Sequence, residues 1–564
     1  MNPTKPAPTP MNGGQILVNA LETHGVKRVF CVPGESYLPV LDALHDSEIN
    51  TTLCRHEGGA SMMAEAWGKI AETPGICFVT RGPGATNACS GLHVALQDST
   101  PMILFIGQIG TQIREREAFQ EVDYRRFLGS SVKWVAEIDD ADRIDEMVSR
   151  AFFTATSGRP GPVALALPES TLAALAEPKE MAPWQQIETY PGVAELEQLA
   201  QLLATAQKPL MIVGGSRWDE QSVLDLQALA QAWKIPVACS FRRQMLFDHS
   251  HPNYAGDVGI GINPNLKQQI DESDVLLLVG GRFSEMPSQD YTLVSIPTPN
   301  QTLVHVYPGA EELGRVYRAH LPIHASPRSF IEAFKKIPIP LNNIQRDTLI
   351  NECHNKYENW SMANMTTPGR VQMGTVMNQL AALLPADSVI TNGAGNYASW
   401  IHRFWKFKHY GSQLAPTSGS MGYGLPAAIA AKLYEPNRTV VAFAGDGCFQ
   451  MTLQELGTAI QAQANVIILV IDNGIYGTIR MHQEKNFPGR VSATTLVNPD
   501  FADLANSYGA YAATVEDDSD FVPALTAAIN AKKPALIHIR VSPEAITPTT
   551  TLSQLRCNAL KADQ

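Results

Sequence analysis

The sequence predicts an α/β chain built of three doubly wound parallel-sheet domains. Its 564 residues exceed what one hydrophobic core organises. Short, continuous apolar runs alternate with helix-period segments, the pattern of crossover units whose strands are buried on both faces. Polar, proline-containing stretches interrupt this alternation twice and read as linkers.

In chain order, residues 1–11 (MNPTKPAPTP and the next residue) read as a disordered tail, too rich in proline and too poor in apolar residues for a signal peptide. Residues 12–175 form the first domain, with strands in RVFCVPG, TTLCRHE, GICFVTRGPG, PMILFIGQ and PVALALP. A linker over 176–195 leads to a central domain over 196–345, with strands in PLMIVGG, IPVACS, VLLLVGGRF and TLVHVYPG. A second linker, 346–370, precedes the third domain, 371–545, with strands in SVITNGAG, VVAFAGDG, VIILVIDN and ALIHIRV. Residues 546–564 read as a C-terminal tail.

Composition narrows the class. Apolar residues at 45% and charged residues at 17% are an ordinary globular balance. A net charge of −12 argues against a nucleic-acid partner. No apolar run reaches spanning length, so no membrane partner is expected. The eight cysteines are scattered without a CxxC pair, which fits buried thiols in a reducing cytoplasm better than disulfides or zinc.

The chemistry concentrates in VVAFAGDGCFQ and the later ANVIILVIDNGIYG. The apolar runs 440–444 and 466–471 are followed by polar residues able to bind a metal, Asp446 and Asn473. MTLQELGTAIQAQAN between them has helical spacing, so the strands are parallel and adjacent and both turns open on one sheet edge. Gly445 and Gly447 let the backbone approach a phosphate closely. A carboxylate, a side-chain amide and a glycine turn suit an oxygen-ligated cation bridging to a diphosphate. Taken alone, GDG reads equally well as a tight turn after a buried strand.

That pattern resembles the cofactor motif of the thiamine diphosphate-dependent enzymes. Over nearly the whole chain the sequence is closest to the large catalytic subunit of acetolactate (acetohydroxyacid) synthase. The resemblance implies that the three domains are pyrimidine-binding, central and diphosphate-binding. It implies thiamine diphosphate and Mg²⁺, the metal held by Asp446, Asn473 and the carbonyl of Ile475. The turn departs from the family at Asp472, where an Asn is usual. Gly445, Gly447, Cys448, Tyr476 and Gly477 follow as cofactor neighbours. NGAGNYASW is similar to the family's diphosphate loop and implies Gly395, Asn396 and Tyr397 as phosphate neighbours; a plain turn after SVIT is the alternative. SGSMGYGLPAAIAA implies Gly419 as a carbonyl for the pyrimidine amine and Met421 as the side chain that bends the cofactor; a core methionine is the alternative.

RHEGGASMMAEAWG places Glu57 after a strand and at the mouth of a helix, and resembles the family's RHE-x-GA motif. The family needs a carboxyl there that bonds the pyrimidine ring, and in a water-poor pocket such a group exchanges a proton near neutrality. A helix-dipole carboxylate is the plainer reading. TRGPGATNACSG, then GQIG, AFQEVD and SSVKW, match the synthase order and imply Phe119 and Gln120 as active-site residues, with Lys133 nearby. Packing at a subunit contact competes for the first two, and a solvated charge for the third.

Three departures follow. His482 stands where the family carries a specificity tryptophan, and reads as a proton carrier for the acceptor or as a surface histidine. Tyr307 and His324 replace two flavin-associated aspartates while Arg282 is retained, so FAD is possible but doubtful. Glu35 and Ser36 occupy positions that are usually small; Glu35 reads as a substrate contact or a helix cap.

The resemblance implies a carboligase that decarboxylates a 2-oxo acid, pyruvate first, and joins the enamine to a second carbonyl compound. It also implies a homodimer or homotetramer with sites at the subunit interface. A simple 2-oxo acid decarboxylase, a C–C lyase or hydrolase, and a flavin-dependent oxidase remain open alternatives.

Overall fold

The computed structural model describes residues 9–339, 346–363 and 365–562. It contains three six-stranded sheets, every strand pair within them parallel. The chain divides into two compact units, one made of the residues through Ile187 with Gly457–Ala462, the other of the remainder from Glu188.

The first unit carries one of the six-stranded sheets. From edge to edge its strands are Asn50–Leu53, Arg28–Cys31, Gly75–Val79, Met102–Gln108, Pro162–Pro168 and Trp134–Glu137. The three strands beginning at Gly75, Met102 and Pro162 are buried throughout, as their unbroken apolar runs require. The helix Glu57–Ala71 packs close: a Cβ on Gly75 would lie 1.7 Å from the Ala64 carbonyl oxygen. No side chain larger than hydrogen fits there.

The second unit carries the other two sheets. The central one runs Tyr254–Val258, Val237–Ser240, Pro209–Val213, Val275–Val279, Thr302–Tyr307 and Leu321–His324. Numbered along the chain, that order is 3-2-1-4-5-6, with a switch point between its first and fourth strands. The last sheet runs Gln413–Leu414, Val389–Asn392, Val440–Gly445, Ile467–Asp472, Ala535–Arg540 and Tyr511–Val515. Its order, 2-1-3-4-6-5, is also that of the first unit's sheet.

Several stretches read as tails or linkers are structured. Of the tail over 1–11, residues 1–8 lie outside the described residues, but Met11–Asn12 pairs antiparallel with Leu175–Ala176. Of the linker over 176–195, the Lys179 N–H donates to Asp145 (2.7 Å) and the Trp184 N–H to His24 (3.1 Å). The stretch 346–370, in which residue 364 is not described, holds the helix Asp347–Trp360. Its Cys353 and Tyr357 enter the central cores, so it belongs to the central layer. The stretch 546–564 holds the helix Leu552–Ala562; Leu552 and Ile546 pack against Ile475, a residue of the candidate site. Short polar helices such as these lack the long apolar stripe that marks a helix in sequence. Among the described residues no helix is long and apolar enough to cross a membrane.

Candidate active site

In the first unit, His56 caps the helix Glu57–Ala71: its Nδ1 accepts from the Gly58 N–H (3.0 Å). Glu57 is thereby set in the first helical turn, where the dipole favours a carboxylate. Asn87 Nδ2 donates to Glu57 Oε2 (3.0 Å). Oε1 faces Gly84, where a Cβ would approach it to 3.3 Å and crowd Thr80 at 2.8 Å. The turn before the short helix Pro83–Asn87 positions Gln120. Gly82 has φ +59°, its N–H donates to the Tyr124 hydroxyl (2.9 Å), and a Cβ on it would meet the Gln120 Cβ at 2.8 Å.

Arg81 joins the remaining parts. It is 7% exposed. Its Nε donates to the Phe119 carbonyl (3.2 Å), and its guanidinium pairs with Glu169 and, at 3.4 Å, with Glu35. The Phe119 ring itself is 72% exposed. Ser36, the other unusual residue of that strand end, bonds Thr80 through its hydroxyl (2.8 Å). Lys133 donates to the Ser157 carbonyl (2.7 Å).

In the second unit, strands Val440–Gly445 and Ile467–Asp472 are parallel neighbours with Gly445 opposite Ile471. Asp446 and Asn473 therefore leave the same sheet edge on adjacent turns. The crossover holds the helix Glu455–Gln461 within the stretch read as helical from the sequence, shorter than that stretch, preceded by the four-residue helix Asp446–Phe449. Asp446 is 3% exposed. Burial, with the charge of Asp472 adding and a hydrogen bond from Asn498 opposing, pushes its carboxyl up to about 6. Asn473 Oδ1 accepts from the Ile475 N–H (3.2 Å) across Gly474, whose φ is +68°. Ile475 bridges to Thr495, and the Tyr476 N–H donates to the Thr494 carbonyl (2.9 Å). A Cβ on Gly447 would lie 2.5 Å from the Tyr476 ring, so the close seat of that ring requires glycine.

Cys448 ties three loops together. Its sulfur accepts from the Gly422 N–H (3.2 Å) and meets the Tyr397 hydroxyl at 3.3 Å. The same hydroxyl accepts from the Gly393 N–H (3.0 Å). The side chains of Tyr397 and Cys448, both read as cofactor neighbours, are thus turned inward as supports for the loops. Gly395, at φ +149°, takes a conformation that favours glycine. Asn396 accepts from Thr478 (2.9 Å), which anchors this loop to the helix Gly477–Asn486. Gly419, at φ +69°, has open space where a Cβ would stand. Met421 is half-buried against the third core. His482 is exposed on the helix Gly477–Asn486.

These residues fit a diphosphate cofactor and a hard cation. Asp446 is a carboxyl whose ionised form burial disfavours more than its hydrogen bonds favour it. Asp446, Asn473 and the Ile475 carbonyl offer only oxygens, the donor type of Mg²⁺. Among the described residues no cluster of three or more His, Cys, Asp or Glu stands ready for a metal, so a mixed oxygen set is the one available here. Two buried polar atoms beside the loops, Asn392 Oδ1 and Ser418 Oγ, have no partner among the described residues, which marks places for an absent one.

Three family descriptions match the chain in order. Residues 11–127 match the N-terminal TPP binding domain of the thiamine pyrophosphate enzymes, 196–334 the central domain, and 393–539 the C-terminal TPP binding domain. The chain belongs to the thiamine diphosphate-dependent enzymes. This thiamine diphosphate enzyme is 32% identical to the acetolactate synthase isozyme 2 large subunit of Escherichia coli (strain K12), over 94% of its own length and 96% of the relative's. It is 31% identical to the probable acetolactate synthase large subunit of Methanocaldococcus jannaschii, over 95% and 93%. The acetolactate synthase large subunit of Lactococcus lactis subsp. lactis is 30% identical, over 94% and 93%. It is therefore an acetolactate synthase-like enzyme.

The residues of the central sheet do not indicate FAD. Tyr307 and His324 pair in register at the ends of adjacent strands. Tyr307 is buried, and His324 Nε2 stands 3.1 Å from the Pro308 carbonyl. Neither strand end offers a carboxylate for a ribose hydroxyl. Arg282 remains half-buried nearby in sequence.

Sequence reading missed Asn87, Arg81, Asn498, Gln450 and His538. Asn87 and Arg81 lay inside TRGPGATN, where a donor beside Glu57 was findable. Asn498 precedes a proline and the helix cap Asp500, and reads locally as turn chemistry only.

Proposed function

We propose that this enzyme is a carboligase of acetolactate synthase type, acting on pyruvate and a second carbonyl compound. Thiamine diphosphate, when bound, supplies a carbon nucleophile and an electron sink for decarboxylation of a 2-oxo acid. The observation that carries the reading is Glu57, fixed at a helix mouth with one carboxyl oxygen held by Asn87 and the other facing Gly84. Glu57 would hold and return a proton at the pyrimidine ring through Oε1. Asp446, Asn473 and the Ile475 carbonyl would hold Mg²⁺ and so fix the diphosphate, with Gly395, Asn396, Gly445, Gly447, Tyr476 and Gly477 about it. Gly419 would accept from the pyrimidine amine, and Met421 would support the bend of the cofactor.

On the substrate side we assign Phe119, Gln120 and His482. Arg81, paired with Glu169 and Glu35, holds the Phe119 backbone in place beside them. We further assign a homodimer or homotetramer, as the family resemblance implies, and a cytoplasmic place, which is supported by eight cysteines that form no disulfide.

The deciding experiment incubates the protein with thiamine diphosphate, Mg²⁺ and pyruvate, with and without aldehyde or 2-oxo acid acceptors, and identifies products by mass. An acetohydroxyacid or acyloin is expected; free aldehyde alone would make the enzyme a decarboxylase. Phe119→Ala should unfold in urea within about 0.5 kcal/mol of the wild type, because the ring is exposed. Its KM for one substrate should rise about tenfold, the equivalent of roughly 1.4 kcal/mol of lost contact. A large stability loss with unchanged KM would mark a packing residue instead.

A further inference from the structure

We propose that Asn498 is a positioning residue that clasps the carboxylate of Asp446 and sets the metal affinity of the site. The inference rests on the reading of Asp446 as a cation ligand. Asn498 Nδ2 donates to two carboxylates at once, Asp446 Oδ2 at 2.7 Å and Asp472 Oδ1 at 2.8 Å. Its own oxygen accepts from Gln450 Nε2 at 2.9 Å, which fixes the orientation of the amide. Asp472 is held from its far side as well: Oδ1 accepts from the Gly474 N–H (2.9 Å) and Oδ2 stands 2.9 Å from His538 Nε2.

The consequence is geometric. Two carboxylates reach the same amide nitrogen. The bond from Asn498 to Oδ2 fixes the rotation of the carboxylate, and so the direction in which it presents its oxygens to a cation. Without the clasp, the two like charges face each other across a small gap, and the Asp446 side chain loses its fixed rotamer. Supports of this kind orient metal ligands, and their loss typically weakens metal binding about 10- to 100-fold. Asp472 makes the clasp necessary in this chain, because a second carboxylate occupies a position where an amide would itself have a donor to offer Asp446.

The test uses the full-length protein with thiamine diphosphate and Mn²⁺, the free Mn²⁺ being counted by electron paramagnetic resonance. Asn498→Ala should bind Mn²⁺ about 10- to 100-fold more weakly than wild type. The double variant Asp472→Asn/Asn498→Ala should regain most of that loss, because an amide at 472 removes one charge and supplies a donor. Gln450→Ala, which leaves both carboxylates and the clasp in place, should weaken binding by only about 2- to 10-fold, the range for one neutral hydrogen bond, and serves if Asn498→Ala does not fold. Wild-type affinity in Asn498→Ala, or in Gln450→Ala should that variant stand in, overturns the inference. A double variant no tighter than Asn498→Ala also overturns it, since a general loss of packing would not be repaired at residue 472. Absence of Mn²⁺ uptake by the wild type would overturn the underlying reading of Asp446 as well.

Discussion

Glu57→Gln is expected to bind thiamine diphosphate within a few-fold of wild type and to turn over about 10²- to 10⁴-fold more slowly. The substitution changes one atom. Gln retains the helix-mouth position behind the His56 cap, and its side-chain oxygen still accepts from Asn87. Gly84 keeps the adjacent space open, so the longer-range packing has no reason to rearrange. What disappears is a group that exchanges a proton at the pyrimidine ring. Calorimetry separates the two effects by reading binding alone, and the exchange rate of the cofactor's reactive C–H, followed by NMR, reads the proton step. Wild-type turnover in this variant would remove Glu57 from its role.

The second large effect is expected at Asp446. In the metal-free protein, burial first and Asp472 second hold its carboxyl up to about 6, against an ordinary value near ~4 in the unfolded chain. The folded state thus binds more protons than the unfolded state between those values. Stability from this group is present below pH ~4 and is lost as pH rises through about 6. At pH 7.5 the buried charge is a standing penalty of about 1–3 kcal/mol, which a bound cation relieves. Asp446→Asn should therefore raise the melting temperature of the metal-free protein at pH 7.5 and have little effect at pH 4. It should also abolish the Mg²⁺-dependent thermal shift, with cofactor affinity down at least ~100-fold, since losing a ligand exceeds the loss of a support. Thermal scans at pH 4, 6 and 7.5, with and without Mg²⁺ and thiamine diphosphate, measure both arms. A retained Mg²⁺ shift would sink the assignment of Asp446 as a ligand.

Five overlooked strands of the large sheets share a position, although one edge strand, Asn50–Leu53, is legible in sequence. Trp134–Glu137, Tyr254–Val258, Leu321–His324, Gln413–Leu414 and Tyr511–Val515 were not legible, and each is an edge strand of its sheet. Interior strands such as Met102–Gln108 are covered on both faces and flanked on both sides, so their sequence is an unbroken apolar run. An edge strand meets water along one side. Leu321–His324 alternates buried and exposed residues, and Tyr511–Val515 is fully buried only at its last residue. Such segments resemble loops until a neighbour supplies the ladder. The helix Asp347–Trp360 was passed over for a related reason: its apolar face is short and its remaining residues are polar.

Local sequence determined the fold class, the family, the Asp446 and Asn473 turns and the helix-mouth place of Glu57, because each depends on short-range pattern: buried runs, glycine turns and caps. Only the tertiary structure decided how those groups are held. Asn498 reaches Asp446 from 52 residues away, Arg81 collects Glu35, Phe119 and Glu169 from separate segments, and Cys448 joins three turns. Hydrogen bonds between residues distant in sequence leave no periodicity behind, so they become visible only when the chain has closed upon itself.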